Sequence, residues 1–145
     1  MATGLCAWQS LEPKSERAAM ANALHPDAIV TINAYSGSPA ERGFIVVHSS
    51  PRLDTSLDTP ILNLRNTMHD QFVAMGLPPG HIGTGLDGRG SLATLNLARY
   101  PAVQVELGNV NNPDDSAQME TPDGRQRYAD AIVRGITAYL GSTPS

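Results

Sequence analysis

The sequence predicts an α/β fold in which an open, twisted, mostly parallel sheet is flanked by helices. Short runs rich in β-branched residues stand at Asp27–Tyr35, Gly43–Ser49 and Ala102–Gly108, and turn-forming residues lie beside each run. Segments with helical character precede, separate and follow these runs. The order helix, strand, strand, helix, strand, helix is typical of a layered α/β protein. With 145 residues, the chain is long enough for one compact domain.

The first predicted helix covers Ser15–Leu24, where alanines are frequent. Ser15 is expected to cap its N-terminus, and Pro26 is expected to end it. The strand Asp27–Tyr35 follows, and the loop 36–42 leads to the second strand.

The second predicted helix runs from about Pro60, a residue suited to the first helical position, to Gly76, which is expected to cap its C-terminus. Apolar residues recur along it at steps of three and four, which predicts one buried stripe. The stripe consists of Ile61, Leu64, Met68, Phe72 and Met75. The glycine-rich passage 77–91 is predicted to be a surface loop.

The third strand, Ala102–Gly108, is followed by a short helix that ends near Met119 and by a last helix, Pro122–Leu140. We therefore expect one folded domain at residues 15–140, an irregular segment at residues 1–14 and a flexible tail at residues 141–145. In the third strand, Glu106 lies at the carboxyl end, where α/β proteins place their sites.

Composition excludes several classes of function. The formal net charge is −4 and the arginines are scattered, so no basic surface for nucleic acid is indicated. No apolar run approaches the ~20 residues of a transmembrane helix. The first residues have no basic segment ahead of an apolar stretch, as a secretory signal would. Cys6 is the only cysteine, so no disulfide forms within the chain.

Three segments carry motifs that occur together in one family. Residues 101–140 contain V-E-L-G, then N-P-D-D, then R-Q-R-Y-A-D-A-I; residues 20–37 read MANALHPDAIVTINAYSG; residues 88–101 read GRGSLATLNLARYP. In order and spacing the chain resembles the zinc-dependent N-acetylmuramoyl-L-alanine amidases, hydrolases of cell-wall peptidoglycan. The resemblance implies their α/β fold and peptidoglycan as the partner.

The resemblance also identifies Glu106, the glutamate of V-E-L-G, as the position of the catalytic carboxylate. The family's zinc ligands include a histidine in an opening strand, a glutamate in the next helix, and a histidine at the position that Asn33 occupies here. The opening strand and helix have no counterpart in this chain. We therefore expect no bound zinc, because asparagine is a poor substitute for imidazole.

Some residues are candidates on their own chemistry. Glu106 is interpreted as a site residue, as a solvated carboxylate at the strand end, or as a partner of Arg89. Arg89 and Asn33 are predicted to contact a substrate. His48, at the end of the second strand, is a candidate metal ligand with Glu106, and His81 could line a groove. No G-x-S-x-G elbow or nucleotide-binding loop is present.

These observations leave three functional hypotheses. The chain is an amidase-like domain without activity that binds peptidoglycan or regulates its turnover, or an active zinc amidase whose remaining ligands lie in a missing N-terminal segment. The third hypothesis is an interaction or dimerisation domain that uses the sheet edge left open by the absent strand. The family acts on the cell wall, whereas the lack of an export signal predicts a cytoplasmic chain or a truncated precursor.

Overall fold

The computed structural model describes residues 13–52 and 54–142, which form an α/β domain. Each predicted strand and helix is present there, with boundaries that differ by at most two residues from those expected. The elements in chain order are α1 (Lys14–Ala23), β1 (Ile29–Tyr35), β2 (Ile45–Ser49), α2 (Asp58–Ala74), β3 (Leu86–Arg89), α3 (Ala93–Asn96), β4 (Ala102–Asn109), α4 (Pro113–Glu120) and α5 (Pro122–Ser142).

The four described strands form one mixed sheet in the order β1-β4-β2-β3. β1 pairs with β4 and β2 with β3 in parallel, whereas β2 and β4 are antiparallel. Two of the three pairings are thus parallel, as the sequence predicts. β4 lies inside the sheet, and β1 forms one edge of it in the described part of the chain.

The larger core lies between the sheet and the helices α2 and α5. The stripe predicted for α2 is buried there, with four of its apolar side chains at most 2% exposed. Val103 and Val105 of β4 point toward the same core. Its further buried members include Phe44, Val46, Leu77, Tyr128, Ala131, Ile132 and Tyr139.

A smaller cluster covers part of the opposite face of the sheet. Ile45 and Val47 of β2 pack there with Leu95 of α3 and Ala102 of β4. Because side chains alternate along a strand, Gln104 and Glu106 of β4 point to this same face. The opposite face is therefore apolar at one end and polar at the other, where β1 and β4 end.

The prediction of an irregular surface loop at residues 77–91 is wrong at Leu86–Arg89, which forms β3 beside β2. The sequence L-D-G-R is short and contains a glycine, so it has no strand pattern of its own; tertiary pairing with β2 determines its conformation. The short helix α3 was likewise not expected. β3 matters for function because it positions Arg89.

Two predicted helix starts also differ. α1 begins at Lys14 with Pro13 as its N-cap residue, so Ser15 lies inside the helix and is not its N-cap. Pro60 is the third residue of α2, which begins at Asp58. Gly76 follows α2 with a φ of +78°, in agreement with its predicted role at the C-terminus.

α5 extends to Ser142, beyond the predicted start of the tail. The irregular segment proposed for residues 1–14 and the tail proposed for 141–145 otherwise lie outside the described residues, as does Cys6. Within the described ranges, no helix has the length and apolar character of a membrane span.

Candidate functional site

Asn33 and Glu106 are neighbours at the carboxyl ends of two parallel strands. Asn33 of β1 pairs in register with Glu106 of β4, so both side chains leave the sheet on the same face. Asn33 is exposed, whereas Glu106 is only 4% exposed. The structure thus brings together two of the predicted site residues, and the interpretation of Glu106 as a solvated carboxylate is wrong.

Glu106 is held by an extended polar network. Arg89 donates from Nη1 to Glu106 Oε1 at 3.0 Å and from Nη2 to Oε2 at 3.3 Å. Gln104 donates a further hydrogen bond to Oε1 at 3.3 Å. Arg89 Nε also donates to Asp87 Oδ2 at 2.7 Å. Both oxygens of the Glu106 carboxylate are therefore already engaged by protein donors.

Glu106 and Asp87 stabilise the positive charge of Arg89. Burial disfavours the charged guanidinium, but the hydrogen bonds to Glu106 and Asp87 outweigh burial and raise the pKa of Arg89 above its ordinary value. The interpretation of Arg89 as the partner of Glu106 is confirmed by this geometry. The two residues form a fork-like ion pair of the kind that fixes both side chains.

A cleft of about 780 Å³ opens above this ion pair. Its lining comes from the β1–β2 connection, from a turn before β3, and from the paired charges of β3 and β4. The lining residues are Tyr35, Ser36, Ala40, Glu41, Arg42, Ile45, Gly80, His81, Ile82, Gly83, Arg89 and Glu106. The volume is within the range of small-molecule and peptide sites in proteins.

Asn109, at the end of β4, holds the β1–β2 connection in place. Its side-chain oxygen accepts hydrogen bonds from the backbone N–H groups of Gly37 and Asn111, both at 3.0 Å. Its Nδ2 donates to the carbonyls of Ser38 at 2.7 Å and Glu41 at 2.8 Å. Asn109 is fully buried, so this connection is a fixed wall of the cleft.

Asp115 of α4 supports the same wall from below. Its Oδ2 accepts from the backbone N–H groups of Gly43 at 2.8 Å and Asn109 at 2.9 Å. Arg42 forms an ion pair with Asp114 at 3.0 Å and lies 3.8 Å from Asp115. Asn112 caps α4 and donates to the carbonyl of Pro39 at 2.8 Å.

The turn on the other side of the cleft has an unusual backbone. His81, Ile82 and Gly83 have φ values of +50°, +58° and +82°, a left-handed conformation in three consecutive residues. For L-residues other than glycine this conformation costs ~1–2 kcal/mol each. Ile82 is β-branched, which makes the conformation least favourable, and its side chain is completely exposed.

Comparison with known proteins identifies the family of this chain. The family profile described as N-acetylmuramoyl-L-alanine amidase matches residues 9–138. The chain belongs to the N-acetylmuramoyl-L-alanine amidase family. An N-acetylmuramoyl-L-alanine amidase of Mycobacterium tuberculosis is 50% identical over 129 residues, which cover 88% of this chain and 54% of that protein.

Crystal structures of amidases of this family agree with the fold. The amidase Ami1 of Mycobacterium smegmatis aligns with a TM-score of 0.88 at 52% identity, and Ami1 of Mycobacterium abscessus in its apo form with 0.86 at 47% identity. The alignments cover 93% and 91% of this chain but 64% of each of those chains. The chain thus spans about half to two thirds of the length of these relatives.

The amidase resemblance implies zinc, but the described residues do not fit a zinc ion beside Glu106. Asn33 offers only a neutral amide oxygen, and the Glu106 oxygens are bound by Arg89, whose positive charge repels a metal cation. Within residues 13–52 and 54–142, no three His, Cys, Asp or Glu side chains are grouped as a metal site.

The structure also places the two candidate histidines of this amidase-like chain. His48 lies on the other face of the sheet from Glu106, because Ile45 pairs with Glu106 and His48 is three residues further along β2. A shared metal at His48 and Glu106 is therefore incompatible with the fold. His81 lines the cleft, with Nε2 3.9 Å from Asp87 Oδ1. Asp87 was missed because β3 was not recognised.

Proposed function

We propose that this chain is a peptidoglycan-binding domain with the amidase fold, in which the described residues do not form a hydrolytic centre. The observation that carries the proposal is the ion pair of Arg89 with Glu106, beside Asn33 at the family's histidine position. A general base needs a free lone pair directed at the nucleophile, and Arg89 and Gln104 occupy three of the roughly four lone-pair sites of Glu106.

The cleft supports retained binding. Arg42, Glu41 and His81 line it, so that it offers a cation, an anion and an imidazole beside the apolar side chain of Ile82. The peptide stem of peptidoglycan carries carboxylates and amides, which such groups can recognise by hydrogen bonds and charge. Because peptidoglycan lies in the cell wall, the proposal places the action of the chain there.

The test is co-sedimentation of the purified chain with insoluble peptidoglycan, with and without added zinc. We expect the chain to pellet with the polymer, and no amino groups of L-alanine to be released. The change Arg42→Met should reduce the bound fraction several-fold, because it removes a cleft cation. The matched control Arg134→Met, on the exposed side of α5, should leave it unchanged. No co-sedimentation of the unaltered chain would refute binding.

The same experiment tests activity. Release of L-alanine amino groups in the presence of zinc, abolished by Glu106→Gln, would show that the chain is an active amidase and would refute the second half of the proposal. For an active member of this family, the bond that is cleaved would be the amide between muramic acid and L-alanine. Liquid chromatography of the soluble products identifies it directly.

A second proposal concerns the edge of the sheet. β1 has no neighbour on its outer side in the described residues, and its sequence IVTINAY contains no charge, proline or glycine to oppose pairing. Ile32 is 56% exposed on the face shared with Val105. We propose that a second copy pairs here antiparallel, because two uncharged identical strands meet without like-charge repulsion.

Sedimentation velocity over a rising protein concentration tests self-association. We expect a dimer for the unaltered chain and for the control Val73→Lys, which changes an exposed apolar residue of α2. The change Ile32→Lys should give a monomer, since it places a charge at the pairing centre. A chain that stays monomeric at the highest concentration would refute this second proposal and leave the first one intact.

A further inference from the structure

The turn at His81–Gly83 combines two properties that folding alone does not favour. Ile82 exposes its whole side chain, and it does so from a left-handed backbone that a glycine or asparagine would adopt more readily. An exposed isoleucine gains nothing from burial, so neither feature stabilises the isolated chain. Backbone strain of this kind is typical of binding and catalytic sites.

Backbone hydrogen bonds nevertheless hold the turn in place. Gly80 N–H donates to the carbonyl of Phe44 at 2.8 Å, and Gly85 N–H donates to the carbonyl of Gly80 at 2.8 Å, which closes the turn. Val46 N–H donates to the carbonyl of Gly85 at 2.8 Å and ties the turn to β2. Ile82 is therefore presented at a fixed position beside the cleft, and a contact with a ligand would need little reordering.

We propose that Ile82 is a specificity-determining residue that contacts the methyl-bearing alanine part of a peptidoglycan stem peptide in the cleft. This inference rests on the proposed function. An aliphatic side chain on the rim adds an apolar contact, while Arg42 and His81 face the polar groups of the ligand. A ligand that alternates methyl groups with carboxylates matches this arrangement.

The peptide fits this rim better than the sugar. Flat sugar faces are commonly bound by the large rings of tyrosine, tryptophan and phenylalanine. Among the described cleft residues only Tyr35 is of this kind, and its hydroxyl donates to the carbonyl of Gly43 at 3.0 Å. Ile82 offers a small branched surface instead, which suits methyl groups. The assignment therefore predicts discrimination between muramyl peptides and the unsubstituted sugar.

The experiment compares variants at this position by calorimetric titration. The probes are N-acetylmuramoyl-L-alanyl-D-isoglutamine and N-acetylmuramic acid without a peptide. We expect Ile82→Asn to bind the muramyl peptide about tenfold more weakly, the factor that corresponds to ~1.4 kcal/mol. Its midpoint of thermal unfolding should rise by about 5 °C, because asparagine tolerates the left-handed conformation. The affinity for N-acetylmuramic acid should not change.

Two controls accompany it. Ile82→Leu keeps an apolar side chain and should bind within about twofold of the unaltered chain. Val73→Asn removes an exposed apolar side chain from α2, away from the cleft, and should not affect binding. Equal affinity of Ile82→Asn and the unaltered chain, or an equal loss in Ile82→Leu, would overturn the inference. An unaltered chain that binds neither probe nor insoluble peptidoglycan would instead remove the proposed function itself.

Discussion

Removal of the Asn109 side chain tests how the cleft is built. The change Asn109→Ala removes four hydrogen bonds, two accepted from the N–H groups of Gly37 and Asn111 and two donated to the carbonyls of Ser38 and Glu41. The side chain is completely buried, so water does not readily reach the four backbone groups that lose their hydrogen bonds to it. The β1–β2 connection loses its attachment to the sheet.

The expected loss of stability follows from these contacts. A protein hydrogen bond contributes ~1 kcal/mol net, and a buried donor or acceptor left without a partner costs ~1–3 kcal/mol. Because the connection can move outward and recover some water contacts, we expect a loss of about 3–4 kcal/mol rather than the full sum. This is a large part of the ~5–15 kcal/mol by which domains are stable.

Urea unfolding followed by circular dichroism measures this loss. The midpoint should fall while the dependence on urea stays constant, because the surface exposed on unfolding is nearly unchanged. Asn66→Ala is the matched control. Asn66 is exposed and its side chain accepts hydrogen bonds from the neighbouring Arg65, so the loss of stability should stay within ~0.5 kcal/mol. A loss below ~1 kcal/mol for Asn109→Ala would refute the reasoning.

Three further predictions concern stability. Gly135→Ala should destabilise the chain by ~1–3 kcal/mol in urea unfolding, since the added Cβ would lie 3.0 Å from the Met68 Cα. Its control is Gly141→Ala, where an added Cβ would meet no neighbouring atom within 4 Å, and this change should stabilise the chain slightly. Burial raises the pKa of Tyr128 to about 12, so the unfolded state loses this proton first and stability should fall between about pH 10 and 12; Tyr128→Phe should reduce that fall. Burial and then Arg65 lower the pKa of His48, so stability should decrease as the pH falls below about 6.5, and less so in His48→Gln.

The spacing of apolar residues predicted the main helices and strands, because burial of one face of each element determines that spacing. The stripe of α2 and the alternation of β4 record which side chains face the core, and both were read correctly. The same reasoning placed Glu106 at the carboxyl end of its strand, whereas Asn33 was identified through the family resemblance. Parallel pairing of β1 and β4 makes the two residues neighbours. Here local pattern and tertiary structure agree.

The parts that could not be predicted depend on contacts distant in sequence. β3 acquires its strand conformation from β2, about 40 residues earlier, and its own four residues carry no alternation. Asn109 binds carbonyls 68 and 71 residues away, which no local pattern reveals. Likewise, Ile82 has a left-handed backbone, a conformation that β-branched residues disfavour, so its residue type gives no indication of this conformation.

The state of Glu106 and the identity of residue 33 are linked by electrostatics. A carboxylate that is 4% exposed needs a cationic partner, since an unpaired buried charge costs several kcal/mol. With a metal cation beside it, a second cation such as Arg89 would be repelled; with the neutral Asn33 at that position, Arg89 can approach to 3.0 Å and supply the charge. The ion pair and the asparagine are thus mutually consistent, and a histidine at position 33 alone would not restore a metal site, because a single imidazole is fewer protein ligands than a catalytic zinc takes.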